Sequence, residues 1–486
     1  MTNFDFDTMP AETLARLDAL DLIDRARGGG VDAVAAFGRY VFGVDPAAHH
    51  RAWLEKLLAN DHTVITAPPA SAKTTWVSII FLAWQIGEHP LTTNAVGSAG
   101  DKAANDITKA IADTIERNDR WKEVFPGVAA DKARGWSSDG YNVMDAAYTE
   151  EEWAKMRAGD KNPSFVGGGV GSSRFNGLRV SGYLILDDIH DRNSRFSDTV
   201  CQDTVNFFSD TADNRLSKTG RMGMVQTRWN RKDAVAKVRS LYYTDGTPIF
   251  QVFDHPAIVD GVSYWPEEWP IEKLEGKRQI VGDLEFRLVY LGDTAADEGK
   301  LLKAEWLQPF PASSIDRRWP CVYGVDPAFK KLDLVATPRK ERSRFAIAKY
   351  RIAPFGLVIE DVLAGHWTET ECEAMLESNA LMDSPLKVVI ETNGVGDPFY
   401  QSLVRRTRLP LIPENAKRDT VARASEMSPD FQFGRVRVSD ADTPGLRLFR
   451  EEWVRIGENN AMDDTVSAAY YGWRGASYAL WRTETP

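Results

Sequence analysis

At 486 residues, with 43% hydrophobic and 27% charged side chains, the chain is long enough for two or three domains that each bury a core, and its composition is that of an ordinary soluble protein. Lys+Arg total 59 against 70 Asp+Glu, a formal charge of -11 that excludes a protein coating DNA by bulk attraction and leaves any polyanion contact to local basic clusters. Cys201, Cys321 and Cys372 are too scattered for a disulfide framework or a zinc site, and the longest strongly apolar stretch, Trp76 to Trp84, is about half of what a bilayer span requires.

Residues 1–55 read as an N-terminal helical segment, acidic at the start and without the apolar core of a signal peptide, while the scattered cysteines suit a reducing cytosol and the short apolar stretches predict no membrane span. HTVITAPPASAKTTWVSIIFLAW then predicts a strand over Thr63 to Thr66, a turn, and a helix from about Lys73. Against GxxxxGK[ST] the turn aligns as Ala67, four residues, Ala72, Lys73 and Thr74. A phosphate-binding loop needs backbone N–H groups facing the phosphates, a lysine reaching the β/γ-phosphates and a hydroxyl on Mg²⁺. Lys73 and Thr74 supply the last two, and Ala67, Ser71, Ala72 and Thr75 complete the candidate ATP-binding loop. Alanine replaces both glycines and enters positive φ less readily, so distortion or strain is expected.

FVGGGVGSSRFNGLRV follows, rich in glycine and carrying Arg174 and Arg179, either of which could stabilise transferred phosphate charge. SGYLILDDIHD predicts a buried strand over Tyr183 to Leu186 ending in Asp187 and Asp188, at the carboxyl edge where parallel sheets bind ligands. There Asp187 would hold Mg²⁺ and Asp188 would orient or deprotonate a water. GMVQTRWNRKDAV reads as a further strand and a polar turn with Arg228, Trp229 and Arg231, a position from which loss of a γ-phosphate can be sensed. Lysine loop, acidic strand end and sensor turn in this order make residues 56–250 a P-loop ATPase domain of the RecA/ASCE type. Residues 251–317, dense in Pro and Trp, read as a compact lid or linker docked on that domain.

From 318 to 486 the pattern changes. CVYGVDPA, SRFAIAKYRI and FGLVIEDVLAG are three strands with hairpin-like connections, followed by a helix (Thr368 to Met382), the strand LKVVIETNGVGD, a helix from about Pro398 and the strand LPLIPE. That order is RNase H-like, so the fold class is α/β throughout. Asp326 ends the first strand, Glu391 the fourth, and Asp463 and Asp464 open the last helix. Clustered carboxylates repel unless cations sit between them, and two Mg²⁺ ions (or Mn²⁺) would activate a water and stabilise the leaving oxygen of a phosphodiester. DNA contact would fall to Lys330, Lys331, Arg339, Lys340, Arg342 and Arg344, to Arg405, Arg406 and Arg408, and to Lys417, Arg418 and Arg423.

Taken together, the AKTT loop, GSSRFNGLRV before LILDD, TRWNRKD, the PAI and WPE segment, DPA, IETNGVGDPFYQ and MDD resemble the large terminase subunit of tailed double-stranded DNA bacteriophages, in order over nearly the whole chain. The resemblance implies a viral DNA-packaging motor that hydrolyses ATP to move double-stranded DNA into a procapsid and cuts the concatemer as a metal-dependent endonuclease. It implies ATP and Mg²⁺ at Lys73, Thr74 and Asp187, with Asp188 as catalytic acid and Arg228 in the coupling motif. It makes Asp326, Glu391 and Asp463 or Asp464 the nuclease metal ligands. It also implies a small terminase subunit and the portal protein as partners, a homo-oligomeric, pentameric ring, and work in the host cytoplasm, docked transiently on the portal and absent from the mature virion. Two departures stand out: Pro68 and Pro69 replace the usual early arginine of the loop, and Ser467 stands where a further aspartate is common. Two alternatives stay open, a recombination nuclease with a vestigial P-loop and a non-catalytic prophage remnant.

Overall fold

The computed structural model describes residues 11–157, 161–294, 302–328, 343–415, 420–457 and 462–483. Lys330, Lys331, Arg339, Lys340, Arg342, Lys417 and Arg418 lie outside them. The chain divides into two compact units, Met1–Leu274 with Glu285–Ala296, and Glu275–Leu284 with Asp297–Pro486.

Seven strands form the sheet of the first unit: His62–Thr66 (β1), Asn94–Ser98 (β2), Gly140–Tyr141 (β3), Phe165–Gly169 (β4), Tyr183–Asp187 (β5), Arg221–Gln226 (β6) and Gln251–Asp254 (β7). Their order is β3-β4-β2-β5-β6-β1-β7, and every pairing except β3 with β4 is parallel. Read from β7, the order of five parallel strands 7-1-6-5-2 is that of a P-loop ATPase of the ASCE type. Both faces are covered, as a parallel sheet requires. Ile65, Ile185 and Val225 point to one core with Leu54, Leu57 and Trp76, whereas Val64, Leu184, Leu186 and Met224 point to the other with Phe207 and Phe208. A boundary at 250 would leave β7 outside the sheet, yet it pairs with β1 in register from Thr63 with Gln251 to Thr66 with Asp254.

The second unit carries Pro309–Phe310 (β8), Cys321–Asp326 (β9), Phe345–Ala353 (β10), Gly356–Gly365 (β11), Lys387–Glu391 (β12), Leu411–Glu414 (β13) and Val436–Ser439 (β14). The order is β8-β14-β11-β10-β9-β12-β13, antiparallel among β9, β10 and β11 and parallel from β9 through β12 to β13. The five strands 11-10-9-12-13 form the RNase H-like sheet expected from sequence. β8 and β14 extend it at one edge, so residues 309–310 of the expected linker belong to this sheet.

The last helix, Asp464–Thr483, crosses β9 where two glycines meet. A Cβ on Gly324 would come within 2.0 Å of the Gly472 backbone nitrogen and 2.1 Å of the Ala468 carbonyl. Only glycine permits that approach, which brings the start of the helix to the acidic end of β9. Among the described residues no helix is long and apolar enough to cross a membrane.

Candidate active sites

In the first unit, strand order sets the chemistry. β6 lies between β1 and β5, so the residue that follows β6, Thr227, falls between the loop after β1 and the acids ending β5. Lys73 is only 4% exposed and its Nζ donates to the Pro68 carbonyl (3.0 Å), Thr227 Oγ1 (2.9 Å) and the Ala67 carbonyl (3.4 Å). It also pairs with Asp188 Oδ2 at 3.6 Å, and Asp188 Oδ1 accepts the Thr227 amide at 2.6 Å. Thr74 Oγ1 donates to Asp187 Oδ1 at 3.2 Å, while the buried Asp187 Oδ2 has no hydrogen-bond partner. Burial, then Asp188, pushes the Asp187 carboxyl up to about 6. A hard divalent cation held by Thr74 and Asp187 would satisfy that orphan oxygen and stabilise the carboxylate, so these residues fit Mg²⁺.

A cavity of about 370 Å³ opens over this group, lined by residues 69–74 with Asp188, His190, Asp191, Thr227 and Trp229. Thr75 is exposed and does not line it. The expected strain is present: Ala70 and Ala72 have φ of 57° and 59°, and Asp188 has φ of 41°. Each costs about 1–2 kcal/mol relative to glycine-like freedom. Two anchors hold the loop in that shape. His50 Nε2 lies 2.9 Å from the Ser71 carbonyl, and Trp269 Nε1 donates to the Ala70 carbonyl at 3.3 Å. The Pro/Trp-rich segment therefore does pack on the loop, with Trp265 in ring contact with His49 and His50.

His49 and His50 are buried, and burial first of all holds them at about 3 and about 4, below the 6.5 of a free imidazole; His190 and His255 are lowered by the same cause. With folded values depressed, unfolding takes up protons below pH 6.5, so this stability is complete above that pH and is lost as pH falls. At pH 5 the loss is about 1–2 kcal/mol for each of His49 and His50. Asp187, raised, shifts the balance the other way by about 1 kcal/mol over the same range. The histidines win, so the first unit should unfold at a lower urea midpoint at pH 5 than at pH 7, and His50→Gln should flatten the slope. Equal midpoints at both pH values in the parent would refute this.

Arg228 is placed differently from the expectation of a nucleotide contact. It does not line the cavity over the lysine loop; its Nε donates to Asp233 Oδ2 at 2.8 Å with both side chains buried, and it faces a separate cavity of about 110 Å³ with Asp254 and Tyr290. Asp233 also caps the helix Ala234–Arg239 by accepting the Ala236 amide at 3.0 Å. Arg228 thus fixes the turn after β6. Arg228→Met should lower unfolding stability by about 3 kcal/mol, because Asp233 would be left buried and unpaired; a loss below about 1 kcal/mol in urea titration would show that the pair is not needed. Arg174 is held by Asn105, the Gly167 carbonyl and Asp139, and Arg179 by the Asn214 carbonyl, so neither reaches the cavity within this chain.

In the second unit the acids gather at the carboxyl end of β9 and β12 and the amino end of the last helix. The Asp326 carboxyl is pushed well above the carboxylate range by burial, then by Glu391 and Asp464, with Arg423 opposing and Asp463 adding to the rise. Part of Asp326 stays accessible although its carboxyl is deep among protein atoms. Asp464 is raised to about 7, chiefly by burial, and its Oδ2 is buried without a hydrogen-bond partner. Asp463 precedes the helix and is less buried, its carbonyl accepting the Ser467 amide at 2.8 Å. Of the pair, Asp464 is the stronger neighbour of Asp326.

Sequence reasoning missed a further acid. Glu452, on the helix Pro444–Arg455, is 4% exposed, accepts the Thr465 amide at 2.8 Å, and pairs with Arg344 at 2.7 Å; Arg344 also lies 3.8 Å from Asp464 Oδ2. Arg423 is 3.7 Å from Glu391 Oε2. These two arginines, expected to face DNA, instead sit against the acids. Arg406 is tied to Glu373 at 2.9 Å, and Arg405 and Arg408 are exposed. The donor set, hard carboxylate oxygens with one buried orphan at Asp464, suits divalent metal. Among the described residues no three His, Cys, Asp or Glu side chains converge to hold an ion as the side chains stand.

No family model matches the sequence and no curated protein matches it. Among solved structures, the chain is similar to the large terminase of a thermophilic bacteriophage, at 10% identity and a TM-score of 0.47, covering 85% of this chain and 92% of that one. It is also similar to the HK97 bacteriophage large terminase, at 11% identity and a TM-score of 0.34, over 92% and 99% of the two chains. A zinc-bound large terminase nuclease from the thermophilic phage G20c matches at 16% identity and a TM-score of 0.28, over 36% of this chain and 97% of that one.

Proposed function

We propose that this chain is a large terminase subunit, an ATPase that drives double-stranded DNA into a procapsid and a metal-dependent endonuclease that cuts it. One observation carries the reading: a single polypeptide holds a lysine and hydroxyl loop against two strand-end aspartates in one sheet, and an acidic cluster on an RNase H-like strand order in another. Chemistry on a nucleotide phosphate and chemistry on a phosphodiester then belong to separate sites.

In the first site Lys73 would neutralise β/γ-phosphate charge, Thr74 and Asp187 would hold Mg²⁺, and Asp188, fixed by the Thr227 amide, would orient the attacking water. In the second, Asp326, Glu391 and Asp464 would hold divalent metal, Mg²⁺ or Mn²⁺; when bound, the metal lowers the pKa of a water and balances charge on the leaving oxygen. Thr465 and Glu452 would keep Asp464 oriented at the helix start. On this reading the partners are double-stranded DNA, a small terminase subunit and the portal protein, with the motor assembled as a ring in the host cytoplasm. The test is plasmid nicking and ATP turnover by the purified chain, each assayed in Lys73→Ala and Asp326→Asn. Loss of both activities together in each variant would mean that the two sites are not separate, and ATP turnover absent from the parent would favour a nuclease with a vestigial loop.

A further inference from the structure

The acidic cluster of the second unit carries its own cations. Arg423 lies on the helix Thr420–Gln432 and is 8% exposed. Its Nη1 donates to the Tyr471 hydroxyl and lies 3.7 Å from Glu391 Oε2, its Nη2 donates to Thr420 Oγ1 at 2.8 Å, and its buried Nε has no hydrogen-bond partner. The guanidinium stands 5.4 Å from the Tyr471 ring centre and 6.0 Å from that of Tyr470. A guanidinium buried this far normally forms a close two-toothed pair with a carboxylate. Here hydroxyls and aromatic faces hold it, and the carboxylate is at loose ion-pair distance.

We propose that Arg423 is a resident counter-ion of the nuclease centre, a positioning residue whose charge stands against Glu391 until divalent metal replaces it there. The proposal rests on the reading of Asp326, Glu391 and Asp464 as metal ligands. Three observations support it. The guanidinium already acts on the cluster, opposing the repulsion that Asp326 feels from Glu391 and Asp464. The Arg423–Glu391 contact is too long for a strong hydrogen bond, so little is lost on parting. The other anchors, Thr420 on the arginine's own helix and Tyr471 on the last helix, would keep it in place when Glu391 turns to metal, and the Tyr471 hydroxyl also hydrogen-bonds Glu391. Metal loading would then be weak by construction, and cutting would wait on a high local supply of metal or on substrate phosphate that draws the guanidinium away.

The experiment is Mn²⁺ binding to the full chain at pH 8 by calorimetry, with no DNA present. The part of the isotherm that disappears in Asp326→Asn belongs to the nuclease centre. Removing a unit charge about 4 Å from a ligand should tighten that part about tenfold in Arg423→Gln, a fraction of the full Coulomb effect because solvent reaches the site. Arg423→Lys, which keeps the charge, should bind as the parent does. Arg423→Met, of similar length and uncharged, serves as the second variant should Arg423→Gln fail to fold; it removes the same charge and should also tighten binding about tenfold. Unchanged or weaker binding in folded Arg423→Gln, or in Arg423→Met where that variant is the one measured, would overturn the proposal while leaving the metal centre intact. An isotherm that Asp326→Asn does not alter would instead overturn the metal-centre reading itself.

Discussion

Lys73→Ala should lower ATP turnover at least about a hundredfold and leave Mn²⁺-dependent plasmid nicking within about twofold of the parent. Among the described residues the ammonium is the one cation that lines the cavity over the loop, and it is pre-aimed by Pro68, Thr227 and Asp188. Charge that builds on a transferred phosphoryl group is stabilised mainly by such fixed positive groups, and removing one typically costs about 3 kcal/mol of transition-state stabilisation. The fold should survive, because alanine deletes a charge rather than stranding one: Asp188 keeps the Thr227 amide and is part exposed. A phosphate-release assay and a nicking assay on the same preparation check this. Nicking that fell with ATP turnover would tie the two sites together.

Asp326→Asn should lower nicking at least about a thousandfold and leave ATP turnover near the parent value. Asp326 is the acid at which the other three meet electrostatically, so its carboxylate is the hub of any metal set here. The amide is nearly the same size and removes only the charge, which keeps changes in packing out of the comparison. The same site has a pH signature. Asp464, raised to about 7, is increasingly neutral below that pH and increasingly ionised above it. Metal ligands must be deprotonated, so nicking at limiting Mn²⁺ should rise as pH climbs through about 7, and saturating Mn²⁺ should shift the rise to lower pH. A flat profile from pH 6 to 8 at limiting metal would remove Asp464 from the ligand set.

The elements that carry the candidate sites were legible because their signals are local. An apolar run ending in two aspartates predicts β5, a lysine and threonine before an apolar helix predict the loop, and three strands followed by alternating helices predict the second sheet. Thr368 as an N-cap with Glu371 closing the capping box even marks where the helix Glu369–Asp383 begins. What was missed lacks such signals. β8 and β14 are short strands whose sheet membership comes from a partner far along the chain. His190 lines the cavity over the lysine loop only because β5 and β6 are neighbours, whereas Trp229, which also lines it, lies in a turn the sequence singles out.

The arginines show the limit most clearly. Arg228, Arg344 and Arg423 look alike in sequence, basic residues near acidic motifs, and charge pattern alone assigns them to nucleotide or DNA. Which carboxylate each one meets depends on contacts across 5, 108 and 32 residues of chain, with Asp233, Glu452 and Glu391. Glu452 is hidden for the same reason: nothing in FREEWVRI distinguishes a buried acid beside Asp464 from a solvated one. Residue type at short spacing is enough to raise the expectation of two classes of chemistry and of their order along the chain, because each needs only a few residue types close together. Tertiary structure alone decided which charges neutralise which, because burial and distance, not residue type, set the strength of a Coulomb interaction.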